Sequence, residues 1–269
     1  MKHAGSYREH RGISLALFLF LVAHTAPQPA QAQGVDHSIF TTLLQNHVTY
    51  EGMVDYDAFA ASEAFDEYLD LLDRVDPASL SRNSQLALWL NAYNAWTIEL
   101  INLHDERESI RNINKTLGLA IKGPWTQPLA KVGGVTYTLD DIEHGIIRKE
   151  FDDPRIHFAL VCAAVSCPPL RQEAYIGTHL NEQLNDQSKR FLLDFPEKNR
   201  VDIASNTVYL TKVFDWYARD FGKNDAEITR YLARFFPPGP ERTFLASGKA
   251  RIRFTDYDWT LNIYYSSSL

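Results

Sequence analysis

The chain is poor in cysteine. Its 269 residues hold 2, Cys162 and Cys167, both inside the stretch RIHFALVCAAVSCPPLR (155–171). So few exclude the disulfide-dense scaffold of small secreted domains. Neither a Cys-x-x-Cys nor a His-x-x-x-His pair occurs, so a zinc-type site lacks its usual ligand spacing, and no metal or cofactor is expected. Basic clusters are also missing. The net charge is −7 with no arginine-rich arm and no basic stripe, which argues against nucleic acid as a partner. There is no internal repeat and no low-complexity linker. Long apolar runs are scarce. The longest, ISLALFLFLVA (13–23), is too short to span a bilayer.

What surrounds that run gives it a meaning. Lys2, Arg8 and Arg11 precede it, and Ala30 and Ala32 follow in an A-x-A cleavage pattern. Residues 1–32 therefore read as a secretory signal peptide. The remainder, 33–269, is expected as a single domain in the periplasm or outside the cell, with no membrane span. With 45% hydrophobic and 12% aromatic residues it can bury a substantial core. Nothing in the sequence sets its oligomeric state.

The periodicity is mostly helical. SIFTTLLQNHV (38–48) and DAFAASEAFDEYLDLLDRV (57–75) are amphipathic, the second stopped by Asp76-Pro77. SRNSQLALWLNAYNAWTIELIN (81–102) is apolar all round and predicts a buried helix. KVGGVTYTL (131–139) reads as a hairpin, and Thr138 with Asp141 makes a capping box for a short helix carrying Glu143, His144 and Arg148. The apolar run RIHFALV (155–161), after Asp-Asp-Pro, predicts a central strand. Helices are expected over 178–194, 213–222 and 225–236, a second hairpin over 201–210 and a terminal strand over 249–262. The class is α+β: one α-rich domain with a small antiparallel or mixed sheet.

A few polar residues stand in apolar places. Asn91 and Asn94, three apart and flanking Tyr93, share one face of the buried helix, where an amide needs partners. They either hydrogen-bond a neighbouring loop or line a pocket, with Tyr93 and Arg148 as further ligand contacts. His157 sits in an apolar run, where a lone histidine is most often a satisfied core residue. His144 shares a helical face with Arg148. His37, His104 and His179 have surface-like neighbours. Cys162 reads as a small buried hydrophobe, whereas Cys167, pinned by Pro168 and Pro169, reads as a corner that presents its sulfur to a cleft. A thiol nucleophile needs a base, and His144 and His157 are the candidates. Asp258, in YDWTLN, could orient a histidine. Asp215, in FDWY, reads as helix packing or a cleft wall.

The segments VDYDAF, LALWLNAYNAWTIELI, LDDIEHGIIR, DPRIHFALVCAAVSCPPLRQEAY, VYLTKVFDWYARDFG and YDWTLN, in this order over residues 38–262, resemble the domain of unknown function 547 (DUF547) family, whose bacterial members are often exported. The resemblance implies a relation to the papain-like and transglutaminase-like superfamily, with Cys167 and either His144 or His157 at the matching positions. One departure stands against it. Papain-like enzymes have the nucleophile before the histidine, and here both histidines come first. Two readings follow. In one, Cys167 attacks an amide or thioester of a small-molecule or peptide substrate as a hydrolase or acyltransferase. In the other, a Cys162–Cys167 disulfide closes a short loop in a non-catalytic secreted binding domain, contributing about 2 kcal/mol. A redox pair would lack the common Cys-x-x-Cys spacing.

Overall fold

Apolar helices that cannot satisfy themselves alone set the architecture. The structure, a computed structural model, describes residues 1–3, 5, 34–113, 115–116, 119–120 and 123–266. The expected signal peptide lies almost wholly outside the described residues. Residues Ala32–Leu269 form one compact unit. No helix among the described residues is long and apolar enough to cross a membrane.

The first helices are α1 (Ser38–His47), which packs on α2 (Tyr56–Ala60) and α3 (Glu63–Arg74), and these two in turn pack on the long α4 (Arg82–Leu103). Ser81 caps α4 by accepting the backbone N–H of Ser84 at 3.3 Å. Almost every α4 side chain from Leu86 to Ile101 is buried, as its all-round apolar pattern requires. His37 is buried here too, bonded to the Tyr68 hydroxyl at 2.8 Å, and burial lowers its pKa to about 4. Its polar sequence neighbours carry no mark of this burial, which comes from packing against α3.

The short pair β1 (Lys115–Thr116) and β2 (Leu119–Ala120) is followed by the hairpin β3 (Ala130–Val132) and β4 (Val135–Tyr137), turning at Gly133-Gly134 as expected. The capping box forms: Asp141 N–H donates to Thr138 Oγ1 at 2.9 Å, and Thr138 N–H donates to Asp141 Oδ2 at 3.0 Å. The turn it starts is a π-helix, Asp141–Ile147, running into α5 (Arg148–Glu150). π-Turns concentrate at functional sites.

The expected strand at 155–161 is instead a helical turn, α6 (Ile156–Ala159). Asp153 is the reason. Its Oδ1 accepts from Arg155 N–H at 3.0 Å and its carbonyl accepts from Ile156 N–H at 3.1 Å, so the Pro154 corner nucleates a helix. A short apolar run cannot by itself distinguish a buried strand from a buried turn. The turn joins two parts of the core. Ile156 and Ala159 pack with the α4 cluster, while Phe158 enters a second cluster with Phe191, Phe214 and Phe221.

The second cluster is built from α7 (Leu180–Leu193), α8 (Val213–Trp216), α9 (Ala218–Phe221), α10 (Asp225–Leu232) and α11 (Pro240–Ser247). A mixed sheet of β5 (Arg200–Asp202), β6 (Thr207–Leu210) and β7 (Arg251–Phe254) backs it. β5–β6 is the antiparallel hairpin expected, and β7 adds to β6 in parallel. The terminal strand is shorter than its alternating sequence predicts. After Phe254 the chain makes only isolated bridges, Leu261 to Ala164 and Ile263 to Val54.

Gly52 sits where the N-terminal segment meets the Cys-Pro-Pro corner. Its φ is +80°, and a Cβ there would come within 2.5 Å of Pro169 Cα. Its carbonyl also accepts from Asn262 Nδ2 at 2.9 Å. Gly52→Ala should cost more than about 2 kcal/mol, because an unfavourable φ and a backbone clash combine. A lower urea midpoint at unchanged m would show it, and an unchanged midpoint would refute the packing argument.

Candidate functional site

A cleft of about 240 Å³ opens where α4, the π-helix, α6, α8 and the C-terminal segment converge. Tyr93, Asp140, Glu143, His144 and His157 supply polar atoms on one side. Trp125, Trp216, Tyr257 and Trp259 supply an aromatic wall on the other. The wall is continuous: Tyr257 and Trp259 ring centres are 4.6 Å apart, and Trp216 lies 4.7 Å from Tyr257 and 5.6 Å from Trp259. Trp216 is 47% exposed, a large amount for a tryptophan held by neighbours.

His157 is buried and held firmly. Its Nε2 lies 2.7 Å from Asp220 Oδ2, and its ring stacks on Tyr217 with centres 4.0 Å apart. Asp220 also accepts from Arg148, Nε at 2.8 Å and Nη2 at 3.0 Å, a two-pronged grip. The hydrogen bonds from His157 and Arg148 hold the Asp220 carboxyl well below the usual carboxylate range. With Nε2 donating to Asp220, a neutral His157 keeps its lone pair on Nδ1. Arg148 Nη1 lies 3.2 Å from His144 Nδ1. Arginine only donates, so His144 Nδ1 accepts and its proton sits on Nε2.

Glu143 is buried between two phenols. Burial, reinforced by the negative charge of Glu143, holds the phenols of Tyr93 and Tyr217 protonated. His144 Nδ1 stands 3.8 Å from Glu143 Oε1. Burial, with Glu143 nearby, raises the Asp140 carboxyl above its ordinary range. The cleft thus presents acidic and imidazole groups, and its nearest guanidinium is tied to Asp220.

The two cysteines form a disulfide. Their roles are the reverse of those expected. Cys167 is 1% exposed, whereas Cys162 lines the cleft. The tight loop between them explains this. Ala163 takes a φ of +57°, Cys167 N–H bonds Ala164 carbonyl at 3.0 Å, and Val165 N–H bonds Thr260 carbonyl at 2.9 Å. That chain path turns the Cys-Pro-Pro corner inward. The Tyr257 hydroxyl stands 3.2 Å from Cys167 Sγ and 3.3 Å from Cys162 Sγ.

Other expected site residues lie elsewhere. Asn91 bonds Tyr175 on both sides of its peptide, and Asn94 bonds Ala159 carbonyl and Val161 N–H. Neither lines the cleft, although Asn94 pins the chain between His157 and Cys162. Asp258 is exposed, and its Oδ1 accepts from Thr260 N–H at 2.8 Å, so it orients no histidine. Asp215 is exposed and pairs with Lys212 at 3.2 Å. The carboxylate that does orient His157 is Asp220, which the sequence reading passed over. Its one sequence signal is a charge just before Phe221 in an aromatic helix. Asp140 and Trp125 were missed as well. Among the described residues, no three His, Cys, Asp or Glu side chains are grouped to hold a metal ion.

Residues 77–192 match the family described as "Protein of unknown function, DUF547". The match spans 116 of the 269 residues, and over that segment the chain is similar to the family. The matched segment holds Glu143, His144, Arg148, His157 and both cysteines, while Asp220, Tyr257 and Trp259 lie beyond it. No curated protein and no solved structure matches the chain.

Proposed function

We propose that residues 33–269 are an exported binding domain whose cleft takes a small-molecule or peptide ligand, with the Cys162–Cys167 disulfide as part of the wall. The observation that carries this reading is the cleft itself. An aromatic wall of partly buried rings, with Trp216 exposed, faces Asp140, Glu143, His144 and His157, and the sulfurs beside it are bonded to each other rather than free. Apolar walls with a few fixed polar groups are the usual make-up of ligand sites. A disulfide sulfur is not a thiolate, so in this state it cannot attack an amide or thioester.

The test is the intact mass of the unreduced protein after iodoacetamide treatment at pH 6. The expected result is no adduct and a mass two hydrogens below the dithiol. A single adduct on either cysteine would overturn the disulfide wall. Ligand binding has its own readout, since Trp125, Trp216 and Trp259 line the cleft. A bound ligand should change tryptophan emission, and Trp216→Phe should remove much of that change.

A thiol hydrolase or acyltransferase is a second reading, favoured by one placement. Cys162 and His157 share the cleft, and His157 is oriented by Asp220 as in a triad. On reduction, Cys162 rather than Cys167 would be the nucleophile and His157 its base. Alkylation at pH 6 after mild reduction should then fall on Cys162.

A further inference from the structure

The two sulfurs of the pair differ in the ways that thiol–disulfide exchange requires. The attacked sulfur must be reachable, and the departing sulfur must be stabilised as a thiolate. Cys162 lines the cleft, and Cys167 lies beneath it, 1% exposed. The Cys162 N–H already donates to the buried sulfur at 3.1 Å, and the Tyr257 hydroxyl, 3.2 Å from it and 3.3 Å from Cys162 Sγ, is in place to turn its one proton to whichever sulfur carries charge. Burial keeps the Tyr257 phenol protonated, so it remains a donor. Lys198 Nζ donates to the Cys167 carbonyl at 2.9 Å and fixes the backbone of this residue. A thiolate formed at Cys167 would meet hydrogen bonds of the charge-assisted kind without rearrangement. The wall beside Cys162 is the ligand wall, with Tyr257 part of both.

We infer that the Cys162–Cys167 disulfide is an exchange centre for a thiol-bearing ligand of amino-acid to short-peptide size bound in the cleft. This rests on the binding-cleft reading. The ligand thiol loses its proton to solvent, and its thiolate attacks Cys162 Sγ. A ligand–Cys162 disulfide forms, the Cys162–Cys167 bond breaks, and the electron pair leaves on Cys167 Sγ, held by Tyr257 and the Cys162 N–H. A second ligand thiolate then attacks the ligand sulfur of the mixed disulfide. The ligand disulfide is released with Cys162 as thiolate. Two ligand thiols have been oxidised and the cysteine pair reduced by two electrons.

The experiment uses the folded chain from residue 33 with reduced glutathione and follows the oxidised glutathione formed. Free cysteine run alongside assigns the ligand's size. The native disulfide should react about tenfold faster than the same disulfide in the urea-unfolded chain. Tyr257→Phe keeps the ring on Trp216 and Trp259 but loses the donor, and should slow the native reaction about tenfold. With oxidised glutathione, Cys167→Ser should carry an adduct on Cys162, whereas Cys162→Ser should carry none on the buried Cys167. This mapping stands even if Tyr257→Phe folds poorly. A native disulfide no faster than the unfolded one, or an adduct on Cys167, overturns the proposal. Ligand-induced change in cleft tryptophan emission then decides separately whether the binding-cleft reading survives.

Discussion

Asn91→Ala should lower the unfolding free energy by about 3–5 kcal/mol, a large loss for a single polar substitution in the helical core. The amide makes two hydrogen bonds at 2.8 Å, donating to Tyr175 carbonyl and accepting from Tyr175 N–H, and the residue is 1% exposed. Removing it strands a buried backbone donor and a buried acceptor. Asn94→Ala should cost a similar amount for the same reason, through Ala159 carbonyl at 2.9 Å and Val161 N–H at 3.0 Å. The two variants differ in consequence. Tyr175 lies away from the cleft, but Ala159 and Val161 flank Leu160, which lines it. Asn94→Ala should therefore also weaken ligand-induced change in tryptophan emission, whereas Asn91→Ala should leave it intact under folding conditions. Urea titration reads the stabilities. A loss under about 1 kcal/mol for either would show that the loops find other partners.

Asp220→Asn should have the largest effect on the cleft. Oδ2 takes His157 Nε2 and Arg148 Nε while Oδ1 takes Arg148 Nη2; an amide keeps one acceptor oxygen and sets its NH2 against one of these donors, so the shared grip on the buried imidazole and the half-buried guanidinium is broken. His157 and Arg148 lose their anchor, so ligand binding should fall by about tenfold or more. The pH dependence follows from the carboxyl being held below its ordinary range by His157 and Arg148. The folded state then binds fewer protons there than the unfolded chain. That contribution to stability is complete above the unfolded carboxylate pKa of about 4 and is lost as pH falls through the lower, folded value. The wild type should thus lose stability below about pH 4, and Asp220→Asn should lose less over the same interval. Parallel acid-unfolding curves for the two proteins would show that Asp220 is not the group responsible.

The family motifs concentrate in the part of the chain that the cleft uses, which is why so much of the site was readable. Glu143, His144 and Arg148 sit after a capping box that forms as written, and Tyr93 sits on a helix whose burial follows from its composition. The π-turn was not readable, because one extra residue per turn leaves no mark in the apolar pattern. Asp220 was missed and Asp258 preferred because orientation is not encoded by neighbours. Both carboxylates follow an aromatic-rich run, and only packing turns one inward to His157.

The sequence by itself determined the α-rich α+β class, the buried α4, the two hairpins and the concentration of reactive residues around 143–167. These rest on local periodicity and turn chemistry, which act over a few residues. Tertiary structure alone decided that 156–159 is a helical turn, that Cys162 and not Cys167 faces the cleft, that the sulfurs are joined, and that Asp220 holds His157. Each depends on contacts between residues far apart in the chain, such as Asn94 with Ala159 or Val165 with Thr260. There the free energy of burying and pairing groups outweighs the local preference of any short segment.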